Sequence, residues 1–415
     1  MLDRDAGRTA RGAQARRASS IPPVAGTPSA AGAAPKVAVS GAAREAASGA
    51  VAVWDGFVRV FHWLLVISVA IAATTGFVLG APWLRVHLAA GLVAGGLVVL
   101  RLIWGAAGSA PARFSSFLAS PRAVLGYTRR RLRGTAERYL THNPLGALMV
   151  VAVIAGVLLL AATGLVGLGG ALRTGPLASG IDVATGEAAL VLHWWLAAGL
   201  LALVALHVAA VLHEVLVERD PLIAAMITGR KPASARDLPL PAPTRPRWAA
   251  LAVGAAGLAA LGGLAVSLGG RLPVPGQPVA EIDALVAEEC GACHLVYHPS
   301  MLPAARWQDI MATLEDHFGE DASLDEESAA AIAEWLTAHA AETAQTRPAH
   351  GFADIAPGQR LEETAFWKAR HRRLDPALFK SPQVGSAANC KACHRDAETG
   401  RFSPFMIELP KETRK

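Results

Sequence analysis

The sequence predicts an all-α membrane protein: four transmembrane helices in a bundle, a fifth transmembrane anchor helix, and a small, mainly helical domain outside the membrane. Three observations predict it. Of 415 residues, 53% are hydrophobic and only 17% charged, with a mean hydropathy of +0.35, a composition too apolar for an ordinary soluble chain. Five apolar runs are each long enough to cross a hydrocarbon core ~30 Å thick. The C-terminal third has no such run and carries all four cysteines. The net charge of +6 does not indicate nucleic acid, because the arginines lie between apolar spans, where they report membrane orientation.

Residues 1–50, rich in Ala, Arg, Ser, Gly and Pro without apolar periodicity, read as a disordered basic tail. Arg16-Arg17 is not read as a twin-arginine signal, since no apolar stretch follows it for about 40 residues.

Residues 51–231 hold the first four spans, from Phe57 to Leu79, from His87 to about Gly105, from Pro144 to Val166, and from Leu190 to His213. The segment after the second span carries Arg113, Arg122, Arg129, Arg130, Arg131, Arg133 and Arg138 against Glu137 alone, so it is expected in the cytoplasm. The loop from Gly167 to Ala189 has one arginine against Asp182 and Glu187 and is expected outside. The fourth span carries His193 and His207, 14 residues apart. At ~100° and ~1.5 Å per residue both rings leave one helix face, ~21 Å apart in depth. Ionisable groups at such depth are costly and mark function, and two in-phase imidazoles suit two stacked b haems. Topology puts His87 level with His193 near the outer face and His62 level with His207 near the inner face. His142 and His213 read as cytoplasmic-surface residues, near haem propionates or a quinone.

Residues 232–247 form a polar, Pro-rich cytoplasmic linker, and 248–270 a fifth span with no ionisable group, read as an anchor. Residues 271–415 are then delivered to the periplasm, beyond the Pro-rich stretch RLPVPGQPV. They contain CGACH, from Cys290 to His294, and CKACH, from Cys390 to His394. Covalent haem c attachment needs two thiols for the vinyl groups and an adjacent histidine for the iron. A four-cysteine zinc site would not require a histidine after both pairs. For the second axial ligands the domain offers His298, His317, His339, His350 and His371, besides Met301, Met311 and Met406. Residues 305–340 read as two helices joined by GEDASLDEE.

Several stretches carry a resemblance. RVFHW, RLIWG, RFSSFLASPRAVLGY, HNPLGALM and AMITGRK, between Arg59 and Lys231, resemble the bacterial cytochrome b561 and nickel-iron hydrogenase b-type cytochrome family, four-helix bundles holding two b haems. The likeness implies His62 and His207 on one haem and His87 and His193 on the other; the loop before His87 is shorter than the family's. LPAARWQDIMATLEDHFGEDASLD, KARHRRLD and ANCKACHRDAETGRF resemble the dihaem cytochrome c family. That likeness implies His317 as partner of the Cys290 haem and His371 as partner of the Cys390 haem.

These readings predict a b/c-type tetrahaem cytochrome of the bacterial inner membrane, N-terminus in the cytoplasm. Its expected cofactors are two haem b, two covalent haem c and a quinone. The expected direction is from quinol, across the membrane, to a soluble periplasmic cytochrome or small haem protein, with lipid as the remaining partner. The c domain is expected to act as a tethered shuttle. Three alternatives stay open: flow from a periplasmic donor into quinone, a haem c peroxidase or reductase, and the cytochrome subunit of a dehydrogenase complex. No nucleotide-binding glycine motif, paired catalytic carboxylates or nucleophile triad appears.

Overall fold

A computed structural model describes residues 49–232, 244–269, 272–279 and 281–410. The basic tail and most of the polar linker lie outside the described residues. The molecule is a multi-pass membrane protein, and among the described residues five apolar helices are long enough to span.

Helix α1, Gly56–Ala73, starts where Asp55 accepts the Val58 N–H at 2.8 Å, a side-chain cap for an orphan donor. It runs on through a π-helical turn, Thr74–Leu79. Helix α2, Leu84–Ala107, begins before His87, which therefore sits inside the first turn. Helix α3, Pro121–Leu132, carries the arginine cluster. Asn143 caps α4, Pro144–Gly170, and Asp182 caps α5, Val183–Leu216. At 34 residues α5 is ~51 Å long, so it stands proud of any ~30 Å hydrocarbon core. Its extra length begins at Val183, seven residues ahead of the apolar run, because a capping aspartate and not hydropathy sets the start.

The helices α4 and α5 pack closely where small residues meet. A Cβ on Gly186 would lie 2.1 Å from the Ala171 backbone nitrogen, and one on Gly167 would lie 2.4 Å from Leu190. Small residues permit such approach in lipid, where burial of apolar surface gives no net drive. Phe61, Leu65, Ala94, Val98, Ile154, Val157 and Leu200 form the bundle core. Leu200 is midway between His193 and His207, so an apolar layer separates the two histidine levels.

One end of the bundle is stitched by features that periodicity does not announce. A two-stranded antiparallel ribbon pairs β1, Ala50–Ala52, with β2, Arg230–Pro232, following the short helix α6, Leu222–Thr228. Lys231 is 1% exposed and meets Asp220 at 2.6 Å. Removing one member of such a buried pair costs roughly 3–5 kcal/mol. Helix α7, Trp248–Gly269, packs on α2, with Trp104 and Trp248 rings 4.4 Å apart.

The C-terminal domain is built on short helices: α8, Ala284–Gly291; α9, Ala304–Ala312; α10, Glu326–Ala338; α11, Arg347–Gly351; and α12, Ala365–His371. The expected helix pair within 305–340 is present as α9 and α10, with Asp325 capping α10. Val286, Leu302, Trp307, Ile332 and Leu336 are its core.

Candidate functional site

In the bundle, the histidine level facing the C-terminal domain comprises His87 on α2 and His193 on α5, ring centroids 6.1 Å apart. Two imidazoles on opposite faces of one metal ion, each nitrogen ~2.0–2.1 Å away, have centroids ~6 Å apart. The separation fits that geometry. His87 Nδ1 lies 2.9 Å from the Ala72 carbonyl and His193 Nδ1 3.0 Å from that of Leu160. A carbonyl can only accept, so Nδ1 carries the proton and Nε2 keeps a lone pair for a metal. Helix backbones come close here through glycine: a Cβ on Gly76 would lie 3.1 Å from the His87 ring, and one on Gly164 3.3 Å from His193. The short loop before α2 therefore still delivers His87 to its partner.

The far level comprises His62 and His207, close enough to interact electrostatically. His62 Nδ1 is buried without a hydrogen-bond partner. His142 corrects the surface reading. Its ring is enclosed by Trp54 and Phe117, centroids 4.7 and 4.4 Å away. Burial, helped by Arg101 and His207, pushes its imidazole down to about 3. Trp54, just ahead of α1, and Phe117, in the segment between α2 and α3, close over it, which a lone polar residue before Pro144 does not reveal.

The C-terminal domain brings together two more pairs. His294 and His317 have centroids 6.1 Å apart, and His371 and His394 6.2 Å. His294 Nδ1 lies 2.7 Å from the Leu295 carbonyl and His371 Nδ1 2.8 Å from that of Trp367, again leaving Nε2 free. Burial lowers the His317, His371 and His394 imidazoles from their ordinary value, favouring the neutral, metal-binding form. Phe318 adopts φ +54°, a strained conformation that sets its ring 5.1 Å from His317. Burial raises the Cys290 and Cys393 thiols and pushes Cys390 up to about 11. His298 has no lone pair to offer, since Nε2 meets the Val279 carbonyl at 3.0 Å and Nδ1 meets Ser300 Oγ at 2.8 Å. The spacing of the His87–His193, His294–His317 and His371–His394 pairs fits haem iron with two imidazole ligands, and His62 and His207 offer the same donor chemistry at the far level. Among the described residues no cluster of three or more Cys, His, Asp and Glu suits a metal ion.

The domain does not hang free on its Pro-rich linker, contrary to the shuttle expectation. Glu187, six residues before His193 on α5, pairs with Arg347 of α11 and with Arg370 of α12 at 3.3 Å. Arg373 donates to the Phe77 carbonyl at 3.3 Å, and Arg85 lies over the Phe405 ring at 5.4 Å. Arg173 holds the linker through the Pro275 carbonyl. Arg370 and Arg373 flank His371, so the junction seats the His371 pair against the bundle end that carries His87 and His193. Tyr297 ties the two c sites together, donating to the Ala388 carbonyl at 3.0 Å.

Comparison with known proteins agrees with both halves. The sequence model of Prokaryotic cytochrome b561 matches residues 53–229, and that of Dihaem cytochrome c matches 286–402. The dihaem cytochrome c of Shewanella baltica OS155 is 36% identical; the match covers 31% of this chain and 93% of that one, with a TM-score of 0.26. A dihaem cytochrome c from Rhodobacter sphaeroides is 38% identical, covering 30% of this chain and 99% of that one, with a TM-score of 0.27. No curated protein matches. The chain therefore belongs to the prokaryotic cytochrome b561 family in its membrane half and to the dihaem cytochrome c family in its C-terminal domain, and it is a b/c-type cytochrome of electron transfer.

Proposed function

We propose that the chain is a respiratory cytochrome of the bacterial inner membrane that takes electrons from quinol and delivers them to a small soluble haem protein in the periplasm. His62 with His207 and His87 with His193 hold two b haems. His294 with His317 and His394 with His371 hold the irons of two c haems, attached through Cys290, Cys293, Cys390 and Cys393. When bound, the haems supply reversible one-electron chemistry. The chain supplies their ligands, their spacing and their order.

The junction at Glu187 carries this reading. In this reading the four histidine pairs follow in the order His62 pair, His87 pair, His371 pair, His294 pair, and the contacts of Glu187 with Arg347 and Arg370 support it. The His294 pair, last in this order, is the proposed exit to a diffusing partner. The arginine-rich segment around α3 adjoins the other end of the bundle, and the positive-inside rule supports a cytoplasmic position for that end. Glu187 is a positioning residue in this scheme: it touches no haem, but its two arginines set where His371 stands.

Stopped-flow mixing of oxidised protein in liposomes with a reduced quinol analogue tests the route. The b bands are expected to reduce first and the c bands to follow. Glu187→Gln is expected to slow the second phase several-fold with haem content and b-band reduction unchanged. If the c haems stay oxidised while a soluble donor reduces the b haems, the direction is reversed. An unchanged second phase in Glu187→Gln would remove the junction from the route.

A further inference from the structure

The second helix repeats the spacing of the fifth. His87 and Arg101 are 14 residues apart on α2, as His193 and His207 are on α5, so both side chains leave one face ~21 Å apart in depth. On α1 the same spacing separates His62 from Gly76, and Gly76 abuts the His87 ring. With α1 and α2 packed together and joined by a short loop, a match of Gly76 with His87 at one end matches His62 with Arg101 at the other. Arg101 thus stands at the level of the His62 and His207 pair.

Its surroundings leave it incomplete. Arg101 is 3% exposed, and Nη1 is buried without a hydrogen-bond partner. The guanidinium lies over the Phe114 ring at 4.8 Å, held there because Phe114 packs against Gly105, where no Cβ could fit. The nearest acid, Asp55, is already engaged by the Val58 N–H, Trp104 Nε1 and Ser109 Oγ. His142, within electrostatic reach of both Arg101 and His207, has a buried Nδ1 that is equally unpartnered. A buried guanidinium nitrogen and a buried imidazole nitrogen without hydrogen-bond partners are both costly, and an acceptor oxygen would satisfy either.

We propose that Arg101 and His142 form a carboxylate site that holds a propionate of the b haem bound by His62 and His207. The inference rests on the reading of those two histidines as one haem site. A carboxylate suits the site better than a neutral carbonyl, because the guanidinium has no anion hydrogen-bonded to its buried Nη1. The bidentate, always-charged guanidinium is the group suited to a planar carboxylate. A quinone carbonyl is the other source of such an oxygen.

Redox titration of Arg101→Gln, Arg101→Lys and His142→Gln, with the full chain in detergent, separates the sources. His207→Ala identifies the haem concerned independently, by which b signal it removes. Loss of a fixed cation beside a haem carboxylate favours the oxidised iron, so Arg101→Gln is expected to lower the midpoint of that b haem alone. Arg101→Lys restores most of the shift, and His142→Gln gives a smaller one, at unchanged affinity for a quinol analogue. Unchanged midpoints in both Arg101→Gln and His142→Gln, a shift confined to the other b haem, or weakened quinol binding at unchanged midpoints would each overturn the assignment. If His207→Ala removes neither b signal, the underlying haem reading fails instead.

Discussion

A histidine held by a backbone carbonyl at one ring nitrogen is poised to ligate a metal through the other. His87, His193, His294 and His371 share that state: Nδ1 is fixed by a backbone carbonyl, and Nε2 is left with its lone pair. His298 has both nitrogens taken, which is why a buried histidine close in sequence to Cys293 is structural. The difference cannot be read from sequence, where His298, His317 and His371 are equal candidates until a family likeness separates them. His371→Ala is expected to leave the Cys390 haem attached but high-spin and able to bind carbon monoxide; a low-spin spectrum in that variant would place the ligand elsewhere. His298 makes a pH prediction. Burial lowers its imidazole, so below ~6.5, the ordinary histidine value, the unfolded chain takes up a proton that the folded domain does not. Stability therefore falls as pH drops through that value. Thermal melting followed by the c-haem Soret band is expected to move to lower temperature between pH ~7.5 and ~5.5, and a constant midpoint would contradict it.

Among the elements, α5 carries the two levels of the bundle, and its role is legible because a period of 14 residues survives in sequence as two histidines on one apolar face. The partner helices are partly legible. His62 and His87 stand out near span ends, but Arg101 reads as a snorkelling residue, since only tertiary packing shows that its face turns inward. The β1 and β2 ribbon and the Lys231 pair escape periodicity altogether, because three-residue strands and single ion pairs leave no repeat. His207→Ala is expected to remove the far b haem and spare the other, given the ~21 Å offset along α5. Loss of both haems in a folded bundle would contradict two separate levels. Gly164→Leu at the other level is expected to cost roughly 1–3 kcal/mol through overpacking, because even a Cβ there meets His193 at 3.3 Å; optical spectra should show loss of the domain-side b haem alone.

For the whole molecule, hydropathy and two CxxCH motifs are enough to divide the chain into a bundle, an anchor and an outer domain. They say nothing of how the outer domain sits. The Pro-rich stretch before it reads as a tether, and Glu187 reads as an ordinary acid in an outer loop. Its value comes from Arg347 and Arg370, 160 and 183 residues away in sequence, a relation no local pattern encodes. In the proposed function the docked arrangement sets four like-ligated sites in one order. Haem quantification by pyridine haemochrome, with carbon monoxide difference spectra on the intact reduced protein, tests that most directly. Two b and two c haems per chain, all low-spin and none binding carbon monoxide, is the predicted result. A b to c ratio far from one, or an iron in the native chain that binds carbon monoxide, would contradict it.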